Sequence, residues 1–88
     1  MLLCAKDGNL SGVQEELNKG VDINTKDIKY GNTALHYAAW VGNHDIVSFL
    51  IWKGGDLSIK NKYGETPYDT AIAGKHEECA YLLATSRK

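Results

Sequence analysis

Residues 31–55 read GNTALHYAAWVGNHDIVSFLIWKGG and carry two helical signals separated by a breaker. After Thr33, the residues Ala34, Leu35, Ala38 and Ala39 mark a short helix with a small-residue face, which lets a neighbouring helix approach closely. Gly42-Asn43 interrupts that pattern. Ile46, Val47, Leu50 and Ile51 then recur at helical spacing, the signature of a second helix. Gly54-Gly55 ends it, because glycine takes positive φ without steric cost.

The same statement occurs elsewhere in the chain. At a shift of 33, Lys29, Tyr30, Gly31, Thr33, Ala38 and Leu50 fall on Lys62, Tyr63, Gly64, Thr66, Ala71 and Leu83. Upstream the shift is 34, and Ala5, Gly8, Asn9, Val13, Gly20 and Asp22 fall on Ala39, Gly42, Asn43, Val47, Gly54 and Asp56. One residue is therefore inserted between Gly20 and Gly31, and insertions are tolerated in exposed connections rather than in helices. A period of 33 predicts a solenoid, in which each unit buries its apolar face against its neighbours.

The third unit has the clearest helix start. Thr66 can cap, Pro67 suits the first helical position, and Asp69 completes a capping box in which Asp replaces the usual Glu or Gln. In the middle unit His36 takes the place of Asp69, where its ring can exchange a hydrogen bond with Thr33 or a nearby backbone group. Thr33, His36, Thr66 and Asp69 are accordingly read as structural capping residues.

These residues resemble the ankyrin repeat, whose pattern runs G-x-T-P-L-H-x-A-A-x-x-G-H, then a Leu-rich second helix and Gly-Ala-Asp. Gly31, Thr33, Leu35, His36, Ala38, Ala39, Gly42, Ile46, Val47, Leu50, Ile51, Gly54 and Asp56 carry the likeness, while Ala34 and Gly55 stand where proline and alanine are usual. The resemblance implies an all-α solenoid of stacked antiparallel helix pairs joined by β-turn/hairpin fingers. It covers about two and a half repeats: an incomplete N-terminal repeat over 1–30, a full central repeat over 31–63, and a C-terminal capping repeat over 64–88. Met1 takes the place of Leu35, so the chain is expected to begin inside the first helix, and Thr85 to Lys88 form a polar tail. Lys75 replaces the repeat glycine, and Glu77 and Glu78 make the last helix polar, as the water-facing end of an array requires.

The resemblance also implies a non-catalytic module that binds a protein through a concave face and the finger tips. Positions outside the repeat pattern are free to serve a partner. In the middle unit these are Tyr37, Trp40 and Val41, whose counterparts are Thr70, Ala73 and Gly74 in the third unit, and Lys6 and Asp7 match Trp40 and Val41 in the first. Tyr30 and Tyr63 sit near the finger bases, and Lys29, Lys60 and Lys62, with Lys26, make the fingers basic, an excess that Asp27 and Glu65 partly offset. The expected site is thus an aromatic centre with a basic rim, suited to a protein segment with apolar anchors and some acidic residues, since aromatic residues dominate interface hot spots. The opposing reading has Tyr37 and Trp40 covering aliphatic surface within the fold. Trp52, late in the second helix, either packs against the next unit or marks a second contact.

Composition narrows the alternatives. Ten basic and 11 acidic residues give a net charge of −1, which offers nucleic acid or an anionic membrane no electrostatic footprint. The lysines and tyrosines of the fingers leave salt-dependent nucleic-acid binding as the weaker alternative. Cys4 and Cys79 make no CxxC or zinc spacing and align with packed positions, which reads as two buried thiols of a cytoplasmic protein, with the nucleus still open. His36, His44 and His76 fall into no HExxH, nucleophile-histidine-acid or phosphate-loop pattern, so no enzyme activity, metal, cofactor or small-molecule ligand is expected. The chief structural alternative is stacking on further repeats or on another copy through an N-terminal edge of Leu2, Leu3, Cys4 and Leu10.

Overall fold

The computed structural model describes residues 2–86 and contains six helices among them. They are α1 (Leu2–Asp7), α2 (Leu10–Asn18), α3 (Ala34–Val41), α4 (His44–Trp52), α5 (Pro67–Ala73) and α6 (Glu77–Thr85). The expected place of Met1, and the tail beyond Ser86, lie outside the described residues; Thr85 is the last residue of α6 rather than part of a tail.

Short links fold the helices back in pairs, α1 on α2, α3 on α4 and α5 on α6. The α3–α4 link is Gly42-Asn43. Gly42 sits at φ 79°, its amide and that of Asn43 both donate to the Ala38 carbonyl, and Asn43 caps α4 by accepting from the Ile46 amide at 3.1 Å. Gly8-Asn9 links α1 and α2 in a similar way: Gly8 sits at φ 77°, its amide donates to the Ala5 carbonyl and that of Asn9 to the Cys4 carbonyl, and Asn9 caps α2 by accepting from the Gly12 amide at 3.0 Å. The third pair departs from this. Lys75 holds the left-handed conformation at φ 60°, and His76 makes no side-chain cap bond.

Stacking then follows from the small-residue face. α1 packs on α3 and α3 on α5, and Ala5, Ala34, Ala38, Ala39 and Ala71 are fully buried where these helices meet. The second helices form the other layer, α2 on α4 and α4 on α6, filled by Val13, Ile46, Val47, Leu50, Cys79 and Leu83. Both cysteines are free; Cys79 is buried, and burial, with the nearby Glu78 charge, pushes its thiol pKa up.

One expectation is overturned. The segments between repeats are not β-turn/hairpin fingers, since the described residues contain no strand and no hairpin. The reason lies in two side chains. Asp27 Oδ1 accepts from the amides of Tyr30 at 2.8 Å and Asn32 at 3.3 Å, and Asn61 Oδ1 accepts from the amides of Tyr63 at 2.9 Å and Glu65 at 3.0 Å. These oxygens take the amides that a strand ladder would pair, so each segment closes as a turn-rich loop. A single backbone bond, Lys62 amide to Tyr30 carbonyl at 2.9 Å, joins the two loops.

The two link glycine positions make opposite predictions. A non-glycine residue in the left-handed region is strained by about 1 kcal/mol, so Lys75→Gly should raise the unfolding free energy by about that amount. A Cβ on Gly42 would meet His76 Nδ1 at 2.5 Å besides straining the backbone, so Gly42→Ala should lower stability by about 1–3 kcal/mol. Urea unfolding of both variants checks the pair.

Candidate functional site

The α3 N-terminus builds the wall of the site. Thr33 caps α3, and His36, fully buried, completes a capping box with it. His36 Nδ1 accepts from the Thr33 amide at 3.1 Å and lies 2.8 Å from Thr33 Oγ1. An acceptor at Nδ1 puts the ring proton on Nε2, which donates to the Glu65 carbonyl at 2.8 Å. The imidazole thus ties the start of α3 to the loop ahead of α5. Burial holds its pKa below the ordinary histidine value of 6.5, against the opposing pull of Glu65. Thr66 and Asp69 make the equivalent box at α5, with the Thr66 amide donating to Asp69 Oδ2 at 3.1 Å.

Asn61 fixes the next layer. It is buried; its Nδ2 donates to Asn32 Oδ1 at 2.9 Å and to Glu65 Oε1 at 3.1 Å. In the preceding loop Asp27 plays the matching part and also accepts from the Tyr37 hydroxyl. Burial alone would raise the Asp27 pKa, but the bonds from Tyr37 and from the amides of Tyr30, Asn32 and Gly31 outweigh it and bring it below 3.8. Burial and the Asp27 contact push the Tyr37 phenol up, so the phenol keeps its proton and donates.

Above this framework lies an open groove of about 380 Å³ between the first helices and the two loops. Tyr30, Tyr37, Trp40 and Tyr63 all line it, with Lys6, Asn61, Glu65 and Thr70 among the polar groups. Trp40 is 54% and Tyr63 70% exposed, whereas Tyr37 is half-buried and anchored through its hydroxyl. The Tyr30 and Tyr63 rings stack with centroids 6.3 Å apart. Four expected aromatic residues therefore come together.

The basic residues do not join them. Lys29 Nζ sits 5.1 Å over the Tyr30 ring, and Lys62 Nζ donates to the Ile28 carbonyl at 2.6 Å. Lys60 borders a separate hollow with Leu57 and Ser86, and Val41 another with Asn43 and His44. Trp52 is 77% exposed, with Lys53 Nζ 4.9 Å over its ring. Asn32 and Asn61 were missing from the expected site, and Glu65 entered only as a charge offsetting the lysines. The available signal was the 34-residue register, which places Asn61 on Asp27. Among the described residues no group of three or more His, Cys, Asp or Glu could hold a metal ion, and no helix is long and apolar enough to cross a membrane.

Comparison with known proteins adds the ancestry. The family model "Ankyrin repeats (3 copies)" matches residues 1–88. Among curated proteins, serine/threonine-protein kinase 12 of Arabidopsis thaliana is 32% identical over 94% of this chain and 18% of its own length. Ankyrin repeat and SAM domain-containing protein 6 of Rattus norvegicus is 38% identical over 82% of this chain and 8% of its own length. NAD-capped RNA hydrolase NUDT12 of Homo sapiens is 36% identical over 94% and 18% respectively. The chain thus spans less than a fifth of each of these relatives.

The buried imidazole makes stability depend on pH. Its folded pKa lies below the unfolded value of 6.5, so the unfolded state binds the extra proton. Its stabilising contribution is complete above pH 6.5 and is lost as the pH falls from there through the folded pKa. Asp27, also depressed, adds a separate loss below its ordinary value of 3.8. Unfolding free energies from urea titrations between pH 7.5 and 4.5 should fall with decreasing pH by up to about 1.4 kcal/mol per unit. A His36→Gln variant should be less stable at pH 7.5 and lack this slope.

Proposed function

The chain belongs to the ankyrin-repeat family, a non-catalytic protein-interaction scaffold, and on that premise we propose that it binds a protein partner on its concave face. The bound segment lies along α1, α3 and α5 against the inter-repeat loops. The observation that carries this reading is the groove of about 380 Å³ that gathers Tyr30, Tyr37, Trp40 and Tyr63. Large aromatic side chains at positions the stack does not use are what an interface core requires. Trp40 and Tyr63 are the contact residues, and Tyr37 supports them, because its hydroxyl is engaged by Asp27. The partner's segment replaces water over the rings and meets hydrogen-bonding groups from Asn32, Glu65 and Thr70.

Stacking on another repeat unit is the second reading, and an exposed isoleucine at the C-terminal edge favours it. Ala5 and Ala39 occupy one repeat position and are fully buried; Ile72 occupies the same position in the third repeat and is 51% exposed. At the N-terminal edge only Leu3 of the expected apolar set is strongly exposed, at 67%; Leu2, Cys4 and Leu10 pack partly on the core.

Two measurements separate these readings. Immobilised protein should capture a partner from cell extract, and a Trp40→Ser, Tyr63→Ser double variant should weaken that capture at least about 30-fold, as loss of a hot spot does. Trp52→Ser should leave it unchanged. Equal capture by the double variant, with its circular dichroism intact, refutes the groove. Sedimentation from micromolar to near-millimolar concentration tests the edges: a monomer throughout supports the groove reading, and a dimer abolished by Ile72→Lys or Leu3→Lys supports stacking.

A further inference from the structure

Four aromatic rings alone would suit any apolar segment, but the groove holds a charge that selects among partners. Glu65 lies half-buried in its lining. Four contacts fix it. Its carbonyl accepts from His36 Nε2 and from the Asn61 amide, its own amide donates to Asn61 Oδ1, and its Oε1 accepts from Asn61 Nδ2. Among the described residues no lysine, arginine or histidine forms an ion pair with this carboxylate, and its second oxygen has no hydrogen-bond partner. An oriented, unpaired carboxylate in a groove that aromatic rings also line is a receptor for a cation, since ring quadrupoles and the carboxylate attract the same charge.

The positions of the chain's own lysines sharpen the point. Lys6 Nζ lies 6.0 Å over the Tyr37 ring at the α1 end of the groove, and Lys29 Nζ lies over Tyr30. Two of the four rings thus already face ammonium groups. Among the described residues no ammonium lies over Trp40 or Tyr63, the two most exposed rings, and Glu65 is the one charged residue at the α5 end of the lining. The expectation of an acidic partner rested on Lys26, Lys29, Lys60 and Lys62, and none of the four lines the groove.

We infer that the groove receives a lysine or arginine side chain of the partner polypeptide, its cation set against Glu65 and the exposed rings of Trp40 and Tyr63. The inference rests on the groove reading above and adds the chemistry of its occupant.

The test uses a Trp52→Phe protein, in which Trp40 is the sole tryptophan of the two in the chain. Its fluorescence is followed while a blocked Ala-Ala-Lys-Ala-Ala peptide is added to about 10 mM, the range in which a single side chain binds. Matched peptides carry arginine, Nε-acetyl-lysine or glutamate at the centre. Saturable binding of the lysine or arginine peptide is expected, weakened about tenfold by acetylation and about tenfold by Glu65→Gln. Gln keeps the oxygen that accepts from Asn61, so the variant removes the charge and leaves the fold. No saturation with either cationic peptide, or equal binding of the acetylated or glutamate peptide, overturns the proposal. The same variants in the capture experiment separate the two claims. Capture lost with Trp40→Ser but retained with Glu65→Gln leaves the groove standing and removes the cation; capture indifferent to Trp40 removes both.

Discussion

The imidazole of His36 joins parts of the chain 29 residues apart, and the interaction surface hangs from that join. One nitrogen serves the cap of α3 and the other holds the Glu65 carbonyl. Because the ring is fully buried and neutral, both bonds form without a charge having to leave water. From Glu65 the order passes to Asn61, which orients the Glu65 carboxylate and binds the Tyr63 amide, and from Asn61 to Asn32 in the preceding loop. The groove wall is therefore a hydrogen-bonded sheath around one histidine, and its loops stay in place without strands.

The alanine face does a different job. It brings α1, α3 and α5 close enough that larger residues on either side project away from the stack. Lys6, Trp40 and Ala73 occupy one such repeat position, and Leu3, Tyr37 and Thr70 another. The middle repeat alone carries aromatics at both. Its neighbours supply smaller or flexible groups, which opens the hollow that the aromatics line. The third repeat relaxes the pattern: Lys75 replaces a link glycine, His76 replaces the capping asparagine, and Ile72 replaces a buried alanine.

Helices, links and stacking order were legible in the sequence because they depend on short-range signals that recur: Thr33 and Thr66, Gly42-Asn43, and the alanines of one face. The shape of the loops was not. Whether residues 24–32 pair as strands or close on a side chain turns on the Asp27 carboxylate reaching two amides, a choice that composition does not register. The aromatic half of the site was legible, since Tyr37 and Trp40 stand at positions the repeat leaves free. The basic half was not, because a lysine's sequence position leaves the direction of its long side chain open, and Lys62 folds back onto the Ile28 carbonyl. Glu65 was passed over as a counter-charge, since its value comes from Asn61 and His36, contacts that only the folded chain brings together.

The central claim is that a partner lies over the wall that His36 supports. Hydrogen exchange of the chain, alone and in complex with its captured partner, reads this residue range by residue range. The account predicts added protection in residues 30–41 and 61–70, with α2, α4 and α6 unchanged. Protection confined to α2, α4 and α6, or to the Trp52 end of α4, would contradict it.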